Sequence, residues 1–113
     1  MHEMSIALSI IDVAAEQAKR ENASKVIEIE LDIGTMSGVE ITALNFAMEI
    51  AVIDSILEKS EVKINQVRAR SECLECGHVF DSGSVVNPCP KCKELNTRFI
   101  SGKELQVKSI TIE

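Results

Sequence analysis

Cys73-Leu74-Glu75-Cys76-Gly77 and Cys89-Pro90-Lys91-Cys92-Lys93 hold every cysteine of the chain, as two C-x-x-C pairs with residues 77–88 between them. Two residues between thiolates let a tight turn aim both sulfurs at one ion, and two such turns complete a tetrahedron. Gly77 follows the first pair, where a positive φ lets backbone N–H groups approach sulfur. Lys93 stands in the equivalent place after the second pair and suits it less well. The competing chemistry is thiol–disulfide exchange, or two structural disulfides. A thioredoxin-type motif carries one C-x-x-C at a helix start, not two facing each other. Four thiolates favour zinc, with Cys73, Cys76, Cys89 and Cys92 as its ligands, and a site so closed is structural. In so short a segment the ion would supply much of the folding free energy. His78 reads as a surface imidazole, or as an alternate ligand or pH-sensitive neighbour of the site.

Both flanks of this module read as strands. Val62 to Arg70 alternates, with a slip at Asn65-Gln66 that suggests a bulge. Glu104 to Ile112 is a further strand, with a slip near Lys108-Ser109. Farther out, apolar residues from Glu3 to Arg20 recur at helical spacing: Ile6, Ile10, Val13, Ala14 and Ala18, with Leu8 and Ile11 widening the stripe. Lys19 and Arg20 suit the negative end of the helix dipole, and Asn22 can close the helix. Lys25 to Ile33 alternates cleanly, with Ile27, Ile29, Leu31 and Ile33 on one face and Glu28, Glu30 and Asp32 on the other. Ser37-Gly38-Val39-Glu40 has the form of a capping box, with Ser37 as N-cap, opening a second helix to about Leu57. That helix places Ile41, Leu44, Ala47, Met48, Ala51 and Ile56 inward and is apolar around much of its circumference. Met4, Met36 and Met48 read as core packing. The order predicts an α+β fold: a small three-stranded sheet with two helices, plus an inserted zinc-ribbon-like module built on the four cysteines. Residues 1–70 and 100–113 form the main domain, and residues 71–99 are inserted between strands two and three.

The 113 residues carry 45% apolar and 27% charged side chains, enough for one modest core, and only three Phe with no Tyr or Trp. A net charge of −6 repels nucleic acid phosphates and anionic lipid. Arg68, Arg70, Lys91, Lys93 and Arg98 give the module some positive charge, but Glu72, Glu75, Asp81 and Glu94 nearly cancel it. A zinc ribbon binding nucleic acid is therefore disfavoured, and a zinc hydrolase lacks an open coordination position. The start lacks the basic region of a signal peptide, and no run is long enough to span a bilayer. The expectation is a cytoplasmic protein, a monomer or weak homodimer, with no membrane and no nucleic acid partner.

Residues 1–3 carry a second metal chemistry. A Met followed by a bulky residue such as His is expected to stay on the chain, which leaves a free α-amine at Met1 beside the His2 imidazole. Amine, amide nitrogen and imidazole can form adjacent chelate rings, a nitrogen-rich set suited to Ni(II) or Cu(II). The amides of His2 and Glu3 lie at a helix start, where N–H groups have no internal acceptor. A His at position two is by itself a weak signal.

A wider pattern strengthens it. Met1-His2-Glu3-Met4-Ser5, Ser37-Gly38-Val39-Glu40, the two C-x-x-C pairs and Ser101-Gly102-Lys103-Glu104-Leu105-Gln106-Val107-Lys108-Ser109-Ile110 together resemble the HypA/HybF family of hydrogenase nickel-incorporation proteins. The similarity covers essentially the whole chain in the same order. It implies a nickel metallochaperone, not an enzyme, which helps insert nickel into [NiFe]-hydrogenase large-subunit precursors with the partner GTPase HypB. Carried over by position, it implies that His2 is the essential nickel ligand, with the Met1 amine and the backbone nitrogens of His2 and Glu3 as co-ligands. Glu40 matches a position where some relatives place a nickel-binding carboxylate, while the capping box already explains a Glu there. The four cysteines would be the zinc ligands, and nickel the exchangeable cargo.

Overall fold

The structure is a computed structural model, and it describes residues 2–84 and 86–113. The elements run α1 (Glu3–Arg20), β1 (Val26–Gly34), α2 (Ile41–Ala51), β2 (Glu61–Val67), β3 (Arg70–Cys73), β4 (Val79–Asp81), β5 (Thr97–Ser101) and β6 (Leu105–Ile112). They form two sheets, β2-β1-β6 and β4-β3-β5, and two compact units. The first unit is Met1–Asp32, Val39–Asn65 and Gln106–Glu113; the second is Ile33–Gly38 and Gln66–Leu105.

In the first unit α1 packs on α2. Asn22 takes a positive φ of 57°, and the Ala23 N–H reaches back to the Ala18 carbonyl, closing α1 where the sequence has an Asn. The buried stripe of α1 is Ala7, Ile10, Ile11, Ala14 and Ala18. Leu8 and Val13, expected inward, are exposed. Three alanines on the inner face let α1 approach its neighbours closely, and that rotates the bulkier side chains outward. Met4 is likewise exposed, whereas Met48 is buried. On β1 the buried residues are Val26, Ile29, Leu31 and Ile33, and Ile27 is exposed.

Helix α2 departs from expectation at both ends. Ser37 is not its N-cap. Gly38 has a φ of +84°, incompatible with a helix, and Glu40 is extended (φ −86°, ψ 116°) and caps α2 itself. The helix stops at Ala51, not near Leu57. Beyond it Ser55 Oγ donates to the Val52 carbonyl and accepts from the Leu57 N–H, while Ser60 Oγ donates to the Leu57 carbonyl. These local bonds replace the helical ladder with turns, and Asp54 sits at a φ of 61°. Nor is the helix covered all round: Phe46 and Ile50 are exposed, as is Ile53 in the turn beyond it.

The strand expected over 62–70 is two strands. β2 ends at Val67, and the Ala69 N–H turns to Thr35 Oγ1 while its carbonyl accepts from the Ser82 N–H. β3 is the centre of the second unit's sheet, antiparallel to β4 and to β5, with a register shift at Arg70/Ser71. Gly34 and Gly102 meet here. A Cβ on Gly34 would fall on the Gly102 carbonyl, and one on Gly102 (φ +107°) would fall on the Ala69 backbone.

Candidate metal centres

β3 delivers Cys73 to the end of the second unit's sheet, and there the chain turns sharply. The Gly77 N–H donates to the Cys73 carbonyl (2.8 Å), and the Cys73 N–H donates to the His78 carbonyl (2.9 Å). The second pair repeats both bonds: Lys93 N–H to the Cys89 carbonyl (2.8 Å), and Cys89 N–H to the Glu94 carbonyl (2.9 Å). Gly77 and Lys93 close the two turns at φ values of 78° and 68°. Lys93 therefore does adopt the conformation its side chain disfavours, and its Nζ donates to the Pro90 carbonyl (3.3 Å). The Leu74 N–H to the Asn96 carbonyl and Asn96 Nδ2 to Glu75 tie the first turn to the approach to β5.

All four sulfurs lie within 4.8 Å of one another. Cys73 and Cys92 are 3.5 Å apart, and Cys76 and Cys89 are 3.7 Å apart. A tetrahedral ion with metal–sulfur bonds of about 2.3 Å needs sulfurs about 3.8 Å apart. The cage therefore fits an ion of that kind, and all four thiols are free. Cys73 and Cys89 are buried against Phe80 and partly buried Cys92, and Cys76 is exposed. Burial pushes the Cys89 thiol up, but the backbone N–H groups of Cys92 and Lys91 and the neighbouring thiols outweigh it and bring it down to about 7. At Cys92 the Glu94 backbone favours the thiolate, yet burial and the three crowding sulfurs win and push it up to about 12. A cluster of this kind ionises fully only around a cation. His78 stacks on Phe80, with ring centroids 6.0 Å apart.

The N-terminal residues are arranged differently. Met1, expected to supply an amine ligand, lies outside the described residues. His2 is the N-cap of α1 in an extended conformation, its side chain makes no capping bond, and it is exposed. Glu3 opens α1, and its Oε2 accepts from the Glu40 N–H (3.3 Å). That bond, then its own backbone N–H, holds the Glu3 carboxyl below the usual carboxylate range. Glu40 accepts from Thr42 N–H (3.2 Å) and Ala43 N–H (2.6 Å), one on each oxygen. Among the described residues only the four cysteines bring three or more His, Cys, Asp or Glu ligand atoms together. The side chains of His2, Glu3 and Glu40 do not assemble into such a cage. The Glu3–Glu40 link is invisible in the sequence, where no local signal joins residues 37 positions apart.

Known proteins share this architecture. Residues 1–112 match the family model for hydrogenase/urease nickel incorporation, metallochaperone, hypA. The hydrogenase maturation factor HypA of Parabacteroides distasonis is 42% identical over 113 residues, covering all of this chain and 98% of that protein. That of Chlorobaculum parvum is 43% identical over the full length of both. The solution structure of the Ni metallochaperone HypA from Helicobacter pylori matches with a TM-score of 0.72 at 27% identity, over 99% of this chain and 97% of that one. A second solution structure of a HypA protein gives 0.75 at 27% identity, over 100% and 97%. The chain belongs to the HypA family of hydrogenase/urease nickel-incorporation metallochaperones, which are carriers and not enzymes.

Proposed function

We propose that this chain binds Ni(II) at its N-terminus and hands it on for maturation of [NiFe]-hydrogenase, while the four cysteines hold a structural Zn(II). The carrying observation is His2: an exposed imidazole with no capping bond, at a helix start within a chain matched to the family from residue 1. The His2 imidazole, the Met1 amine and the amide nitrogens of His2 and Glu3 form the donor set. Nickel displaces the amide protons, so loading weakens as the pH falls. The Glu3 carboxylate ties the start of α1 to residue 40 and steadies the donors next to it. Glu40 is the weaker member of the set, because both its oxygens already serve the start of α2. Residues 1–70 and 100–113 act as the nickel-binding domain and residues 71–99 as the zinc module, although the compact unit around that module also takes in residues 33–38, 66–70 and 100–105. The zinc reading rests on four thiolates at tetrahedral spacing, which leave no position for a substrate. The partners are the GTPase HypB and the hydrogenase large-subunit precursor, in the cytoplasm; among the described residues no helix is long and apolar enough to cross a membrane.

The test is nickel titration of the tag-free protein, with metal content by mass spectrometry, beside His2→Ala. Tight nickel binding should vanish in the variant while zinc content and circular dichroism stay unchanged. Equal nickel affinity in both proteins would refute the N-terminal site. An N-terminal tag, which converts the amine to an amide, should impair loading in the same way.

A further inference from the structure

Helix α2 has a second apolar face. Leu44, Ala47 and Met48 are buried, yet Phe46, Ile50 and Ile53 are 65%, 45% and 57% exposed. With half-buried Ala43 they recur at i, i+3, i+7 and i+10, the spacing of one straight stripe along a helix. The Ile53 N–H still bonds to the Ile50 carbonyl (3.2 Å), so the stripe runs on past the last helical residue. Apolar side chains exposed singly are ordinary, but two large ones aligned on one helix and a third in the turn that follows it mark an interaction surface.

The charge around the stripe says what covers it. Exposed Glu49 lies beside it on α2, exposed Asp54 follows Ile53 in the chain, Glu40 opens the helix, and from Val26 to Glu58 the chain has no Lys, Arg or His. A second copy would set acid against acid, and anionic lipid or nucleic acid would be repelled. We propose that this face docks an amphipathic helical segment of a partner protein whose own apolar stripe is bordered by Lys or Arg. Phe46 and Ile50 supply the desolvated anchor, and Glu49 and Asp54 orient the basic border. The surface uses neither the cysteine cluster nor His2, so it stands or falls apart from metal loading.

The experiment uses the full-length, zinc-loaded protein and two fluorescein-labelled helical peptides of about five turns. Both carry Leu at heptad positions a and d; one has Lys at e and g, the other Glu. Anisotropy titrations should show binding of the Lys peptide, weakened by salt, and little binding of the Glu peptide. Phe46→Glu should weaken the Lys peptide at least about tenfold. Glu49→Lys should weaken it too and improve the Glu peptide. Phe46 is exposed, so the variant should keep wild-type circular dichroism, zinc and nickel. Amide shifts on adding the Lys peptide should centre on residues 43–54. Equal binding of the two peptides, indifference to Phe46→Glu, or shifts centred elsewhere would overturn the proposal. A concentration-dependent dimer in sedimentation, abolished by Phe46→Glu, would give the face to a second copy instead.

Discussion

Lys93 occupies a left-handed backbone position that Gly77 fills in the matching turn, at φ values of 68° and 78°. Its Cβ crowds the backbone there, and the bond from Nζ to the Pro90 carbonyl recovers little, because the side chain is exposed. Lys93→Gly should therefore stabilise the metal-loaded protein by about 1 kcal/mol, read as a rise in melting temperature. Glu30 of β1 is held by two partners. Its carboxylate accepts from Asn65 Nδ2 (2.7 Å) and pairs with Lys108 (3.4 Å), and these partners, Asn65 foremost, hold its pKa below the ordinary 4.5. A folded-state pKa below the unfolded one gives stability that is full above the ordinary value and is lost as pH falls through the folded one. Asn65→Ala should raise the Glu30 pKa in an NMR titration and move acid unfolding to higher pH; an unmoved Glu30 titration would contradict this. The four-cysteine cluster is legible because two residues between thiols is a local signal. The tie between Glu3 and the Glu40 amide is not, because nothing in either residue's neighbourhood points to the other.

Among the elements, β1 and α1 are the most readable. Their extents and the closing Asn22 follow from local features, although packing leaves Ile27 of the β1 alternation exposed. The register of α1 around its axis escapes a reading weighted by bulk, because the alanines take the inner face. The bounds of α2 escape it because serine and glutamate side chains compete with the backbone for its end bonds. β3, β4 and β5 are short and interrupted by turns, so no period announces them. At the same scale Gly34→Ala should destabilise the second unit by about 2 kcal/mol or more. The Gly34 N–H donates to the Glu104 carbonyl and the Met36 N–H to the Gly102 carbonyl, both at 2.7 Å, so neither backbone segment can yield to a new Cβ. Urea unfolding measures the loss, and a wild-type midpoint would contradict it.

At the scale of the whole chain, the two units draw on different sources of stability. The first has Ile29, Leu31, Leu44, Met48 and Leu57 fully buried. Around the thiols of the second, buried Cys73, Phe80 and Cys89 form a much smaller cluster. Chelation of the ion, or Cys76→Ala, should therefore loosen residues 71–99 in hydrogen exchange while protection in α1 and β1 persists. Loss of all helical circular dichroism would refute this. Glu28 pairs with Lys63 of β2 and Glu30 with Lys108 of β6, so the central strand brings the acids and the outer strands bring the lysines. Were β2 and β6 to pair directly during folding, those cations would have no anionic strand between them, and like charges on adjacent strands repel. Exposed pairs are worth little each, so these favour the native strand order only weakly, and high salt should weaken that preference further.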